Sequence, residues 1–143
     1  MIYDCAIIGG GPAGLNAALV LGRSRRNTVV FDDDNGRNLV TREAHGFITR
    51  DGIQPEELKR LAREEIAKYD SVEIKNDRIT GIKRVTETHY ELETSDGRVF
   101  HSIKIIIAAG LKEELPNIPD IESFYGTSPV SYTHLTLPTI CSV

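Results

Sequence analysis

Three glycines at fixed spacing carry the clearest chemistry in the chain. They are Gly9, Gly11 and Gly14, within the run Gly9-Gly10-Gly11-Pro12-Ala13-Gly14. Where a strand turns into a helix, the first glycine of such a set permits the tight turn. The second lets the backbone approach a pyrophosphate, and the third lets the helix pack close to the strand. The helix N-terminus then offers free N–H groups and a positive dipole end to the phosphates. An acidic side chain further along completes the pattern by accepting hydrogen bonds from an adenosine ribose. Asp32 stands 23 residues after Gly9 and ends an apolar run, so it is the ribose candidate. Its neighbours Asp33 and Asp34 read as solvated turn residues. The chemistry expected is dinucleotide binding.

The surrounding pattern supplies the elements that this chemistry needs. Tyr3–Ile8 is a short apolar run ending in glycines, which predicts a buried parallel strand. Leu15, Ala18, Leu19 and Gly22 recur at helical spacing with small residues between them, as in a helix lying close on a sheet. Thr28–Phe31 predicts a second buried strand, and the three segments together make a βαβ unit. Asn35–Ile53 reads mostly as loop. Gln54–Tyr69 predicts a helix, with Pro55 in its first turn, Glu56 and Glu57 complementing its dipole, and an apolar stripe of Leu58, Leu61, Ala62, Ile66 and Tyr69. Val72–Ile74 is a third short strand.

The next stretch changes character. Ile79–Thr94 and Arg98–His101 are half-polar, with Asp96-Gly97 as a hairpin turn. They read as a small antiparallel meander rather than a continuation of the parallel sheet. Lys104–Ala109 returns to a fully apolar strand ended by Gly110, and Leu115–Pro119 reads as an extended linker. The fold class expected is α/β: a parallel sheet of about four strands with an antiparallel three-stranded meander on one side.

Composition narrows the function classes. The chain has 143 residues, one domain's worth of core, with 40% apolar and 27% charged residues. A formal net charge of −4 gives no basic patch for nucleic acid or an anionic membrane. No apolar run reaches a membrane-spanning length, and the N-terminus lacks the basic start of a signal peptide. Two cysteines, Cys5 and Cys141, imply no disulfide framework, and a cytoplasmic setting is expected. Cys5 lies in a strand and reads as a small core residue. His45, His89 and His101 show no metal-ligand spacing and read as surface or loop residues. No metal site is expected.

The glycine run after YDCAII, Asp32, the charged meander, KIIIAAG and PNIPDIESFYGTS together resemble the N-terminal half of a thioredoxin reductase-like flavoprotein. This class belongs to the pyridine nucleotide–disulfide oxidoreductases, which carry two dinucleotide-binding domains. The likeness covers Met1 to about Ser128 and implies a Rossmann-like FAD-binding domain. By that resemblance, Gly9, Gly11, Pro12, Ala13 and Gly14 lie under the FAD pyrophosphate, and Asp32 holds the adenosine ribose. Gly36, Arg37 and Asn38 match a loop beside the flavin. Asn76, Arg78 and Ile79 lie where relatives contact the adenine, and Ala108, Ala109 and Gly110 match a segment close to the cofactor. His45-Gly46 stands where many relatives have a longer loop motif.

The resemblance also implies NAD(P)H as hydride donor, a small-molecule or protein disulfide as acceptor, and a homodimeric parent. The family's Cys-x-x-Cys, its second glycine fingerprint and the returning segment that completes the FAD site are not in this chain, so no catalytic residue is expected in it. Three readings of the parent follow. It is a disulfide reductase, a thiol-independent flavoprotein such as a thioredoxin reductase-like ferredoxin–NADP reductase, or a non-enzymatic nucleotide-binding module.

The last residues are unlike the rest. Residues 130–143 contain no Asp, Glu, Lys or Arg, although the preceding chain is rich in them. Val130–Thr139 resembles the frame-shifted translation of a sequencing-library adaptor. The domain division expected is therefore residues 1–128 as the N-terminal part of an FAD-binding domain and 129–143 as a non-native tail, with the NAD(P)-binding domain absent. On that reading Tyr132, His134 and Cys141 have no functional role, and the truncated chain is inactive.

Overall fold

The computed structural model describes residues 1–36, 42–111, 114, 117, 119 and 120. In chain order its elements are β1 (Ile2–Ile8), α1 (Pro12–Arg23), β2 (Thr28–Phe31), α2 (Pro55–Ile66), β3 (Val72–Lys75), β4 (Ile79–Thr86), β5 (His89–Thr94) and β6 (Val99–Ile107). The strands form one six-stranded sheet in the order β3-β2-β1-β6-β5-β4. The β3, β2, β1 and β6 pairings are parallel, and β6, β5 and β4 pair antiparallel. The α/β class with a parallel core and an antiparallel meander is as expected.

One expectation is corrected. The meander is continuous with the parallel sheet, because β6 belongs to both. Val99–Ser102 pair with β5, while His101–Ile107 pair with β1, so His101 and Ser102 serve both neighbours. The two segments at Arg98–His101 and Lys104–Ala109 are thus one strand, which ends at Ile107. The polar residues that suggested a break are accommodated within it. Ser102 is buried, and its hydroxyl donates to the Lys104 carbonyl at 2.6 Å.

The sequence pattern explains the order of the parallel half. β2 is buried throughout, Thr28 included, as a short and mostly apolar strand between two neighbours should be. On one face, Cys5, Ile7 and Val30 pack with Leu15 and Ala18 of α1 and Ile66 of α2. On the other, Tyr3, Ala6, Val29 and Phe31 pack with Leu92 of β5, and Phe100 meets Phe31 edge to face at 5.0 Å between ring centroids. Gly22 lets α1 settle on Val72 and Tyr69, since a Cβ there would come within 2.9 Å of the Val72 side chain. The β3 edge is tied back by the Tyr3 hydroxyl, which donates to Glu73 at 2.5 Å across β2. The hairpin at Asp96-Gly97 is present, with Gly97 at φ +82° as such a turn requires.

Candidate functional site

The C-terminal ends of β1, β2 and β6 meet where β1 turns into α1. Each glycine of the fingerprint has a distinct surrounding. Gly9 adopts φ +107°, and a Cβ there would run into the backbone of Ala108 and Ala109. The Gly9 N–H donates to the Phe31 carbonyl at 2.8 Å, and the Ala108 N–H donates to the Ile8 carbonyl at 2.8 Å. A side chain on Gly14 would overlap the Gly9 carbonyl, so this glycine lets α1 sit directly on the turn. Gly11 differs: nothing lies within 4 Å of where its Cβ would be. It is the helix N-cap residue and makes no side-chain cap, so the first N–H groups of α1 face this open approach. Close packing at two glycines and open space at the middle one is the division of labour that a phosphate-cradling turn needs.

Beside the turn is a cavity of about 210 Å³ between α1 and α2. Gly11, Pro12, Asp32 and Gly36 line it, together with Asn16 of α1 and Lys59 of α2. Four of the sequence-predicted residues therefore share one cavity, while Gly9 and Gly14 are close-packed within the turn beside it. Ala13 lies exposed in the first turn of α1. Ala108 and Ala109 abut Gly9, and Gly110 follows at φ +68° with open space around it. Asn76 and Arg78 are exposed, and Ile79 packs in the core against the Leu92 cluster. These three residues are not in the lining of that cavity. Arg37 and Asn38 lie outside the described residues, as does the segment from 121 to 143.

Asp32 is the electrostatic centre of the site. It is 6% exposed, and its carboxylate packs so close to Gly10 that a Cβ there would overlap it. Lys59 Nζ lies 2.6 Å and Arg63 NH2 2.7 Å from the same oxygen, Oδ2. The other oxygen, Oδ1, accepts the Asp34 N–H at 3.2 Å. Burial opposes ionisation of this carboxyl, but the Lys59 and Arg63 contacts and the Asp34 N–H outweigh it and hold it below the ordinary carboxylate value. Lys59 and Arg63 also reach Asp34, at 2.5 and 3.0 Å. Asp34 is therefore an ion-pair partner rather than only a solvated turn residue. Asp33 stays exposed, with Arg78 Nε 3.9 Å away.

Three features were missed in the sequence. Gly10 has no duty in the glycine pattern itself, yet only a glycine there leaves room for Asp32. Lys59 and Arg63 were unremarked charges on an amphipathic helix. Their i,i+4 spacing on α2 puts both on one face, and it is the chain's return through the loop that brings this face to Asp32. His89 and His101 read as surface or loop residues, yet both are half-buried strand residues whose ring nitrogens Nε2 and Nδ1 lie 3.0 Å apart across β5 and β6. Cys5 is buried as expected, and burial with the nearby Asp4 pushes its thiol up, away from reactivity.

Known proteins are similar to this chain in sequence and in fold. The chain is 37% identical over 120 residues to Thioredoxin reductase aclD of Aspergillus oryzae, covering 82% of this chain and 38% of that one. It is 32% identical over 116 residues to Ferredoxin–NADP reductase 1 of Bacillus velezensis, covering 77% and 34%. Among solved structures, an oxidoreductase from Agrobacterium tumefaciens superposes with a TM-score of 0.85 at 35% identity, covering 89% of this chain and 43% of that one. The chain thus spans well under half the length of these relatives. The family described as pyridine nucleotide-disulphide oxidoreductase matches residues 3–136. With that match across a βαβ turn of this geometry, the chain belongs to the pyridine nucleotide-disulphide oxidoreductase family.

Proposed function

We propose that this chain forms the FAD-binding part of a thioredoxin reductase-like flavoprotein oxidoreductase. The observation that carries the reading is the open approach at Gly11, flanked by close-packed Gly9 and Gly14 and faced by Asp32. These residues fit the ADP end of a dinucleotide. The α1 N-terminus and the Gly11 backbone would take the pyrophosphate, and Asp32 would take the ribose hydroxyls. Bound FAD supplies the hydride-accepting chemistry, and the protein supplies position and electrostatics. Gly36, Arg37 and Asn38 would lie beside the flavin, Asn76, Arg78 and Ile79 near the adenine, and Ala108, Ala109 and Gly110 along the cofactor. The intact parent would draw electrons from NAD(P)H and deliver them to a disulfide, as a homodimer in the cytoplasm.

A second reading is favoured by one observation. The matched relatives include a ferredoxin–NADP reductase as well as a thioredoxin reductase. A parent of that thiol-independent type would share the same FAD part.

Residues 129–143 we infer to be a non-native tail, supported by the absence of any Asp, Glu, Lys or Arg from it, within an uncharged run that begins after Glu122. The family match overlaps this tail at residues 129–136. Sequencing the source DNA across the codons for Gly126–Val143 tests the tail and the parent together. Continuation into a Cys-x-x-Cys supports the disulfide reductase, and continuation without cysteines supports the thiol-independent flavoprotein. Faithful reproduction of VSYTHLTLPTICSV followed by a stop overturns the scar.

This chain alone is expected to hold FAD weakly. It supplies one wall of the site, and apolar side chains along β6 remain exposed: Ile103, Ile106 and Ile107, with Leu111 beyond. We infer that chain outside these residues covers that strip in the longer relatives. Flavin absorbance of the purified chain is the check: little or none is expected, and stoichiometric yellow protein contradicts the inference.

A further inference from the structure

Asp32 cannot present its whole carboxylate to a ligand. A carboxylate offers about four acceptor positions, two on each oxygen. Lys59 at 2.6 Å and Arg63 at 2.7 Å both bind Oδ2, and the Asp34 N–H takes one position on Oδ1. Gly10 closes in on the Oδ2 side, where even a methyl group would not fit. One acceptor position therefore remains, on Oδ1. The two cations sit one helical turn apart on α2 and also clamp Asp34, so four charged groups of zero net charge form one network. Arg63 Nε is buried and has no hydrogen-bond partner, which means the guanidinium is held for its NH2 contacts at some cost.

We propose that Arg63 and Lys59 are positioning residues of the ribose subsite. They pin the Oδ2 edge of Asp32 so that Oδ1 is the acceptor for an adenosine ribose hydroxyl. Because their charges offset both carboxylates, discrimination in this subsite comes from the hydrogen bond to that hydroxyl and not from net charge. The proposal rests on the dinucleotide reading above.

The test is titration calorimetry of the chain with ADP and with 2′,3′-dideoxy-ADP, which lacks the ribose hydroxyls. The wild type is expected to prefer ADP by about tenfold or more, the worth of one hydrogen bond to a charged group. Arg63→Met should bring that ratio toward one, and Arg63→Lys should restore part of it. A merely structural role would weaken both ligands equally and leave the ratio unchanged, which overturns the proposal. Lys59→Met carries the same expectation should circular dichroism show Arg63→Met unfolded. Wild-type chain that binds neither nucleotide overturns the dinucleotide reading and this inference with it. Wild-type discrimination that persists in the variants overturns this inference alone.

Discussion

β1 and β6 are adjacent parallel strands of similar apolar character with opposite fates. In β1, Ala6 and Ile7 are fully buried, while in β6 their register partners' neighbour Ile107 is 72% exposed and Ile106, opposite Ile7, is 37% exposed. Strand propensity does not separate them. The difference is the cover: α1 and α2 pack over β1 and β2, and among the described residues no helix packs over β6. An apolar strand predicts a surface that some element covers, without saying which element. The covered half is also where the glycines are constrained and the candidate site is built.

The comparison can be broken most severely at the turn that brings α1 onto β1. Gly14→Ala places a methyl group into the Gly9 carbonyl, and the helix must lift away. A loss of about 3 kcal/mol or more is expected, enough to unfold a marginal domain, and urea titration measures it. Native-like stability would show that α1 can shift without cost and that its contact with the turn is loose.

A paired truncation sharpens the contrast. Ile7→Ala removes a fully buried side chain and should cost about 2–5 kcal/mol. Ile107→Ala, in the neighbouring strand, should fall within about 0.5 kcal/mol, since its side chain is mostly in solvent already. Equal losses would mean that β6 is covered in solution, by a second copy or by the chain itself.

A smaller effect belongs to the covered half alone. Lys59 and Arg63 hold the Asp32 carboxyl below its ordinary value against the opposing effect of burial. A depressed folded-state value contributes stability that is present above the unfolded value of about 3.9 and is lost as pH falls through the folded one. The urea midpoint of the wild type should therefore drop on acidification below about pH 4. Lys59→Met should shorten that acid-dependent limb. An unchanged acid limb in Lys59→Met would separate Lys59 from the ionisation of Asp32.

Much of this was legible in the residues. Tyr3–Ile8, Thr28–Phe31 and the helix from Pro55 were read nearly to their ends, because short apolar runs and a clear apolar stripe leave little choice. The fingerprint glycines and Asp32 were legible because each has a specific steric or chemical duty. β6 was misread as two strands, since its pattern changes at Ser102 as its partner changes from β5 to β1. No local pattern shows that handover. Gly10, Lys59 and Arg63 were illegible for a related reason: their roles exist only against Asp32, from which α2 is separated by a long loop.

The most direct measurement uses the one fingerprint glycine with room around it. Gly11 has φ −77° and ψ −177°, extended backbone that any residue adopts, and no atom within 4 Å of a built Cβ. Threonine caps a helix about as well as glycine, so Gly11→Thr should keep the wild-type melting temperature while filling the approach to the α1 N-terminus. ADP titrated into both proteins should bind the wild type and lose at least about tenfold in affinity, some 1.4 kcal/mol, in Gly11→Thr. Equal ADP affinity in two equally stable proteins would contradict a phosphate site at this turn.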